Sequence, residues 1–91
     1  MDIANPFNVM KSDKALTRED LVRAIRVMIS SEFEAIQLYT QLADSIDDEK
    51  IIKKLQDIAD EEKKHVGEFL SILMYLEPNE KSFYKQGMEE E

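Results

Sequence analysis

The sequence predicts an all-α fold, an antiparallel two-helix hairpin that pairs with a second copy of itself into a four-helix bundle. Three observations lead there. Only two glycines and two prolines occur in 91 residues, in a composition rich in Glu, Lys, Leu and Ile, which is that of a helical chain. Two long heptad-like apolar stripes are separated by one short polar break. Both stripes are interrupted by titratable side chains at the same height.

Residues 1–16 read as an N-terminal extension of mixed polarity, with Pro6 and Asn8 arguing against a long helix. The start, Met1-Asp2-Ile3-Ala4-Asn5-Pro6, lacks the basic and apolar regions of a secretory signal. Thr17-Arg18-Glu19-Asp20 then marks a helix start, because Thr17 can cap free N–H groups and two acids favour the positive end of the dipole. The pattern runs unbroken to Asp44-Ser45-Ile46-Asp47-Asp48, where short side chains compete for backbone hydrogen bonds. A second helix follows to about Leu76, where Glu77-Pro78-Asn79 stops it.

Each helix is then nearly 30 residues, roughly 40 Å long. So short a connection forces them antiparallel, giving a hairpin over residues 17–77. Residues 78–91, which carry Phe83, Tyr84 and Met88 before Glu89-Glu90-Glu91, form either a short helix or a linker.

Composition narrows the function. The absence of cysteine removes disulfides and thiolate metal sites. A chain this small then needs metal or a partner to be robust. Twelve basic against 20 acidic residues give a net charge of −8, which repels nucleic acid and anionic membrane and attracts cations. The longest uncharged apolar run of the helical body, Phe69 to Leu76, is too short to cross a bilayer. The expectation is a soluble cytoplasmic protein with neither nucleic acid nor membrane as partner.

The first stripe is Leu21, Ile25, Met28, Glu32, Ala35, Tyr39, Leu42 and Ile46, and the second Ile51, Leu55, Ile58, Glu62, His65, Phe69, Ile72 and Leu76. These two stripes are expected to form the seam of the hairpin. Glu32, Glu62 and His65 interrupt them near mid-helix, and a turn centred near residue 47 puts Glu32 opposite Glu62. His65 follows three residues later on the same face, completing Glu62-x-x-His65. Unpaired carboxylates in a seam neutralise, pair or bind metal, and neither stripe contains Lys or Arg. A metal ion is the partner left, against the plainer reading of a structural polar layer that fixes register.

One chain supplies half of a di-iron set. The di-iron bundles draw one glutamate from each of two helices and Glu-x-x-His from each of two others. Two copies about a twofold axis complete it. A further apolar set, Val22, Ile29, Phe33, Ile36, Ile52, Ala59, Val66, Leu70 and Leu73, is more than one hairpin can hide, which also calls for a partner.

Ser31-Glu32-Phe33-Glu34-Ala35-Ile36-Gln37-Leu38-Tyr39, with Glu61-Glu62-Lys63-Lys64-His65-Val66-Gly67-Glu68-Phe69, resembles the rubrerythrin and ferritin-like superfamily over roughly residues 15–80. The single hairpin is similar to the encapsulated ferritin-like proteins in particular. The resemblance implies a ferritin-like four-helix bundle made by a homodimer, with a ferroxidase centre in the interface ligated by Glu32, Glu62 and His65 of both chains. It also implies a decamer, as a ring of five dimers, housed inside an encapsulin nanocompartment as cargo or as a fusion to the shell. Of the two acids that such proteins place outside the centre as a metal entry site, Glu34 matches one and Ser31 stands at the other. No shell-targeting peptide is visible after residue 78, which implies either that it is missing from this chain or that the chain is joined to its shell.

The function expected is oxidation of Fe(II) by dioxygen at a di-iron centre, the ferric product being passed on for mineral storage. Glu32 and His65 act as terminal ligands and Glu62 as the bridge. Tyr39, two turns beyond Glu32, either hydrogen-bonds a ligand or is an aromatic core residue with a solvated hydroxyl. The alternatives are a di-iron peroxidase or oxygenase without a storage role, and a helical dimerisation module.

Overall fold

The computed structural model describes residues 15–90. Most of the N-terminal extension, residues 1–14, and the last of the terminal acids, Glu91, lie outside the described residues. Three helices follow one another: α1 (Arg18–Asp44), α2 (Glu49–Leu76) and α3 (Pro78–Glu89). No strand occurs among the described residues.

Local chemistry sets the ends of each helix. Thr17 is extended and its hydroxyl accepts from the backbone N–H of Asp20 at 3.1 Å, capping α1. Asp48 caps α2 by accepting from the N–H groups of Lys50 (3.0 Å) and Ile51 (3.2 Å). These bonds satisfy donors that a helix start otherwise leaves without partners. Glu77 is the single residue between α2 and α3, and Pro78 opens α3, where a missing N–H costs nothing. The choice left open for residues 78–91 thus falls to a 12-residue helix over Pro78–Glu89.

α1 and α2 pack along their length, and α3 returns against α2. The seam differs from the expected one. Val22, Ile25, Ile29 and Ala43 of α1 and Ala59, Val66 and Leu73 of α2 are the buried residues. Of the two expected seam stripes only Ile25 is among them, while Leu21, Leu42, Ile51, Ile58 and Ile72 remain exposed. The physical reason is that two helices shield only the narrow line along which they touch. The apolar set read as flanking occupies that line, and the stripe bearing Glu32, Glu62 and His65 runs beside it, open on its outer side.

Candidate metal centre

Glu32 lies near the middle of α1, and Glu62 and His65 lie near the middle of α2. The antiparallel packing brings one ligand atom of each within 4.8 Å of the others. His65 Nδ1 stands 3.5 Å from Glu62 Oε2 and 3.9 Å from Glu32 Oε2. The first distance arises within α2, since residues three apart share a face. The second depends on the register of the hairpin, and it matches the level read from the turn.

Both glutamate side chains are 19% exposed and the imidazole 43%. The three groups therefore sit at the rim of the seam, with less of the dryness expected of mid-helix packing. They are shielded by α1 and α2 on the inner side and approachable from the outer. His65 apart, no cation of the described residues pairs with either carboxylate. Lys63 pairs with Asp60 (3.4 Å) and Lys64 with Glu61 (2.9 Å), both turned to the outer face of α2. The Glu61 carboxylate raises the Lys64 ammonium above its ordinary 10.5.

The donor set fits a divalent transition metal. Carboxylate oxygen and imidazole nitrogen suit iron, manganese or zinc. Ligand atoms each about 2.0–2.2 Å from one ion stand roughly 3–3.5 Å from each other; the His65–Glu62 pair has that spacing at 3.5 Å and the His65–Glu32 pair is wider at 3.9 Å. Three donors leave any ion under-coordinated, so room remains for further ligands or a reactant.

The other residues singled out lie elsewhere. Glu34 is exposed on the outer face of α1, in a shallow depression shared with Phe33, Gln37, Leu38 and Gln41. Ser31 is exposed as well. Tyr39 is half-buried on the ligand-bearing side, outside the three-residue cluster. Unanticipated from the sequence is a contact at the far end of the hairpin, where Glu80 of α3 accepts hydrogen bonds from Arg26 of α1 and from the Tyr84 hydroxyl. No helix of the described residues is long and apolar enough to cross a membrane.

The chain is similar to several known proteins. The rubrerythrin family profile matches residues 23–91. A ferritin-like–encapsulin shell fusion protein of Pyrococcus furiosus is 43% identical over 86 residues, covering 94% of this chain and 25% of that protein. An encapsulin nanocompartment cargo protein of Myxococcus xanthus is 34% identical over 89 residues, covering 98% of this chain and 68% of that one. The chain thus spans a quarter of the length of the first relative and about two thirds of the second. The crystal structure of the encapsulated ferritin domain from Pyrococcus furiosus superposes with a TM-score of 0.82 at 42% identity, over 91% of this chain and 84% of that one.

Proposed function

The chain belongs to the rubrerythrin family, and from that premise we propose that it is a ferroxidase, oxidising Fe(II) with dioxygen at a di-iron centre shared between two copies. One observation carries the reading: Glu32, Glu62 and His65 converge within 4.8 Å on a face that is otherwise apolar and left open.

Fe(II) is the substrate. Each ferrous ion gives up one electron, and a pair supplies the two that, with two protons, convert dioxygen to hydrogen peroxide. Glu32 and His65 would hold the ions terminally, and Glu62 would be the carboxylate shared between them. Anionic oxygen ligands favour the ferric over the ferrous charge, so the same residues that bind the substrate make its oxidation more favourable. The seam residues behind the ligands keep the inner side of the centre dry.

A second copy completes the set, because three donors per chain become four glutamates and two histidines per dimer. The exposed stripe of Leu21, Leu42, Ile51, Ile58 and Ile72 beside the ligands supports pairing through that face. Higher assembly into a decamer, and residence within an encapsulin shell in the cytoplasm, are extended to this chain from relatives whose names carry encapsulin. There the oxidised iron would be stored.

Anaerobic loading with Fe(II), followed by air, tests the activity. Loading is expected to saturate near two ions per dimer, and air to consume dioxygen with the rise of ferric absorbance. One independent ion per monomer, or loaded iron that air does not oxidise faster than in buffer, refutes it.

A further inference from the structure

The sequence holds five methionines, and three of them, Met28, Met74 and Met88, lie among the described residues. Their surroundings differ. Met88 is 84% exposed near the end of α3. Met74 is half-buried in the groove between α2 and α3, beside Leu70 and Tyr84. Met28 is half-buried on α1, in the stripe that runs on to Glu32.

Met28 precedes Glu32 by four residues, so the two share a face one turn apart, about 5–6 Å between Cβ atoms. Ile25 and Ile29 on either side of Met28 are buried, whereas Leu21 in the same stripe is exposed. Met28 therefore stands where the seam meets the open face. The register that sets His65 3.9 Å from Glu32 carries Met28, one turn earlier on α1, toward the next turn of α2, with Val66 and Phe69. The aliphatic side chains of that level are inert to peroxide. A thioether is not: hydrogen peroxide converts it to the sulfoxide without help from a metal.

We propose that Met28 is the self-oxidation site of the centre, the thioether that takes up oxygen from hydrogen peroxide released as a ferrous pair is oxidised. The proposal rests on the ferroxidase reading, which supplies the oxidant. The Met28 sulfur gives a lone pair to one peroxide oxygen, the O–O bond breaks, and the second oxygen leaves as water with both protons. Sulfur loses two electrons and the peroxide gains them, so the step consumes one peroxide per methionine. Position decides which methionine reacts. Peroxide made at the centre meets Met28 before it reaches bulk solvent, so Met28 works at a high effective concentration. Peroxide added from outside meets Met88 first. Met28 thus removes oxidant beside the ligands once per chain, until a reductase restores the thioether.

Peptide mass mapping of the full chain tests this, after anaerobic Fe(II) loading and exposure to air with catalase present. Met28 should gain one oxygen about tenfold faster than Met88, because catalase destroys only the peroxide that escapes. Metal-free protein treated with hydrogen peroxide should show the reverse order. Met28→Leu, a change that conserves volume, should oxidise Fe(II) at the wild-type rate and, without catalase, release more peroxide than wild type. If iron is oxidised but Met28 gains oxygen no faster than Met88, or if Met28→Leu releases no more peroxide, the self-oxidation site is overturned and the ferroxidase reading stands. If air does not oxidise the loaded iron faster than in buffer, both fall together.

Discussion

At the level of single residues, the candidate centre joins two carboxylates and one imidazole, and among the described residues no Lys or Arg pairs with either carboxylate. Glu32→Ala and His65→Ala are therefore expected to lower Fe(II) oxidation by about a hundredfold or more, since loss of a mere supporting partner already costs 10–100-fold at metal sites. Helicity should persist, because none of the three belongs to the buried seam, and circular dichroism beside oxygen uptake checks both halves. Without metal the sign reverses for stability. Glu32 and Glu62 are both 19% exposed and share one rim, and like charges brought together there oppose folding. Metal-free Glu32→Ala should melt no lower than metal-free wild type, and a clearly lower melting temperature would mean the carboxylate is structural. That Glu32, Glu62 and His65 come together was legible in the sequence, because Glu62-x-x-His65 carries its own geometry and Glu32 interrupts an otherwise apolar stripe. Glu80 was not: it is one of 20 acids, and its partner Arg26 lies 54 residues upstream, where no periodicity points.

Among the helices, the ends carry local signals and the faces do not. Thr17, the Asp44–Asp48 break and Pro78 announce themselves through capping and backbone chemistry, and the bounds of α1 and α2 follow. Which apolar line becomes the seam is decided by how two helices rotate against each other, and that rotation depends on every contact at once. Leu73 and Ile72 differ by one position and by 2% against 41% exposure. Leu73→Ala should cost about 2–5 kcal/mol in chemical denaturation, whereas Ile72→Ala should leave monomer stability nearly unchanged and weaken pairing; equal costs would reinstate the stripe expected from the sequence. Asp48→Ala removes two hydrogen bonds at the start of α2 and should cost about 1 kcal/mol. Asp57 raises Lys53 and Glu61 raises Lys64 above the ordinary 10.5, so what the raised lysines contribute is present throughout neutral pH and is lost as pH climbs through the raised values. The helicity of α2 should be flat between pH 6 and 9.

For the whole molecule, the open face beside the ligands makes metal and assembly a single equilibrium. A hairpin of α1 and α2 has no second layer over Leu21, Leu42, Ile51, Ile58 and Ile72, and each such side chain gains roughly 1.5–3 kcal/mol when fully buried. Against that gain stand four carboxylates, which pairing through the ligand face would gather at one level. Without an ion, they must be protonated or kept apart. With Fe(II), or Zn(II) as a mimic, the same charges become ligands from two chains, and an ion bound only by the assembled state stabilises it by mass action, about 2.7 kcal/mol at a hundred times the dissociation constant. Chelated protein at neutral pH should therefore shift toward monomer on dilution, and added metal should restore the dimer. Added salt can imitate part of this by screening a surface of net charge −8, so the comparison is made at matched ionic strength and repeated with Glu32→Ala. That variant lacks one carboxylate per chain, so its metal-free form should pair more readily and respond less to metal, whereas screening alone would leave its response unchanged. Light scattering over a dilution series reads both, and an identical mass with chelator and with metal at every concentration would refute the linkage.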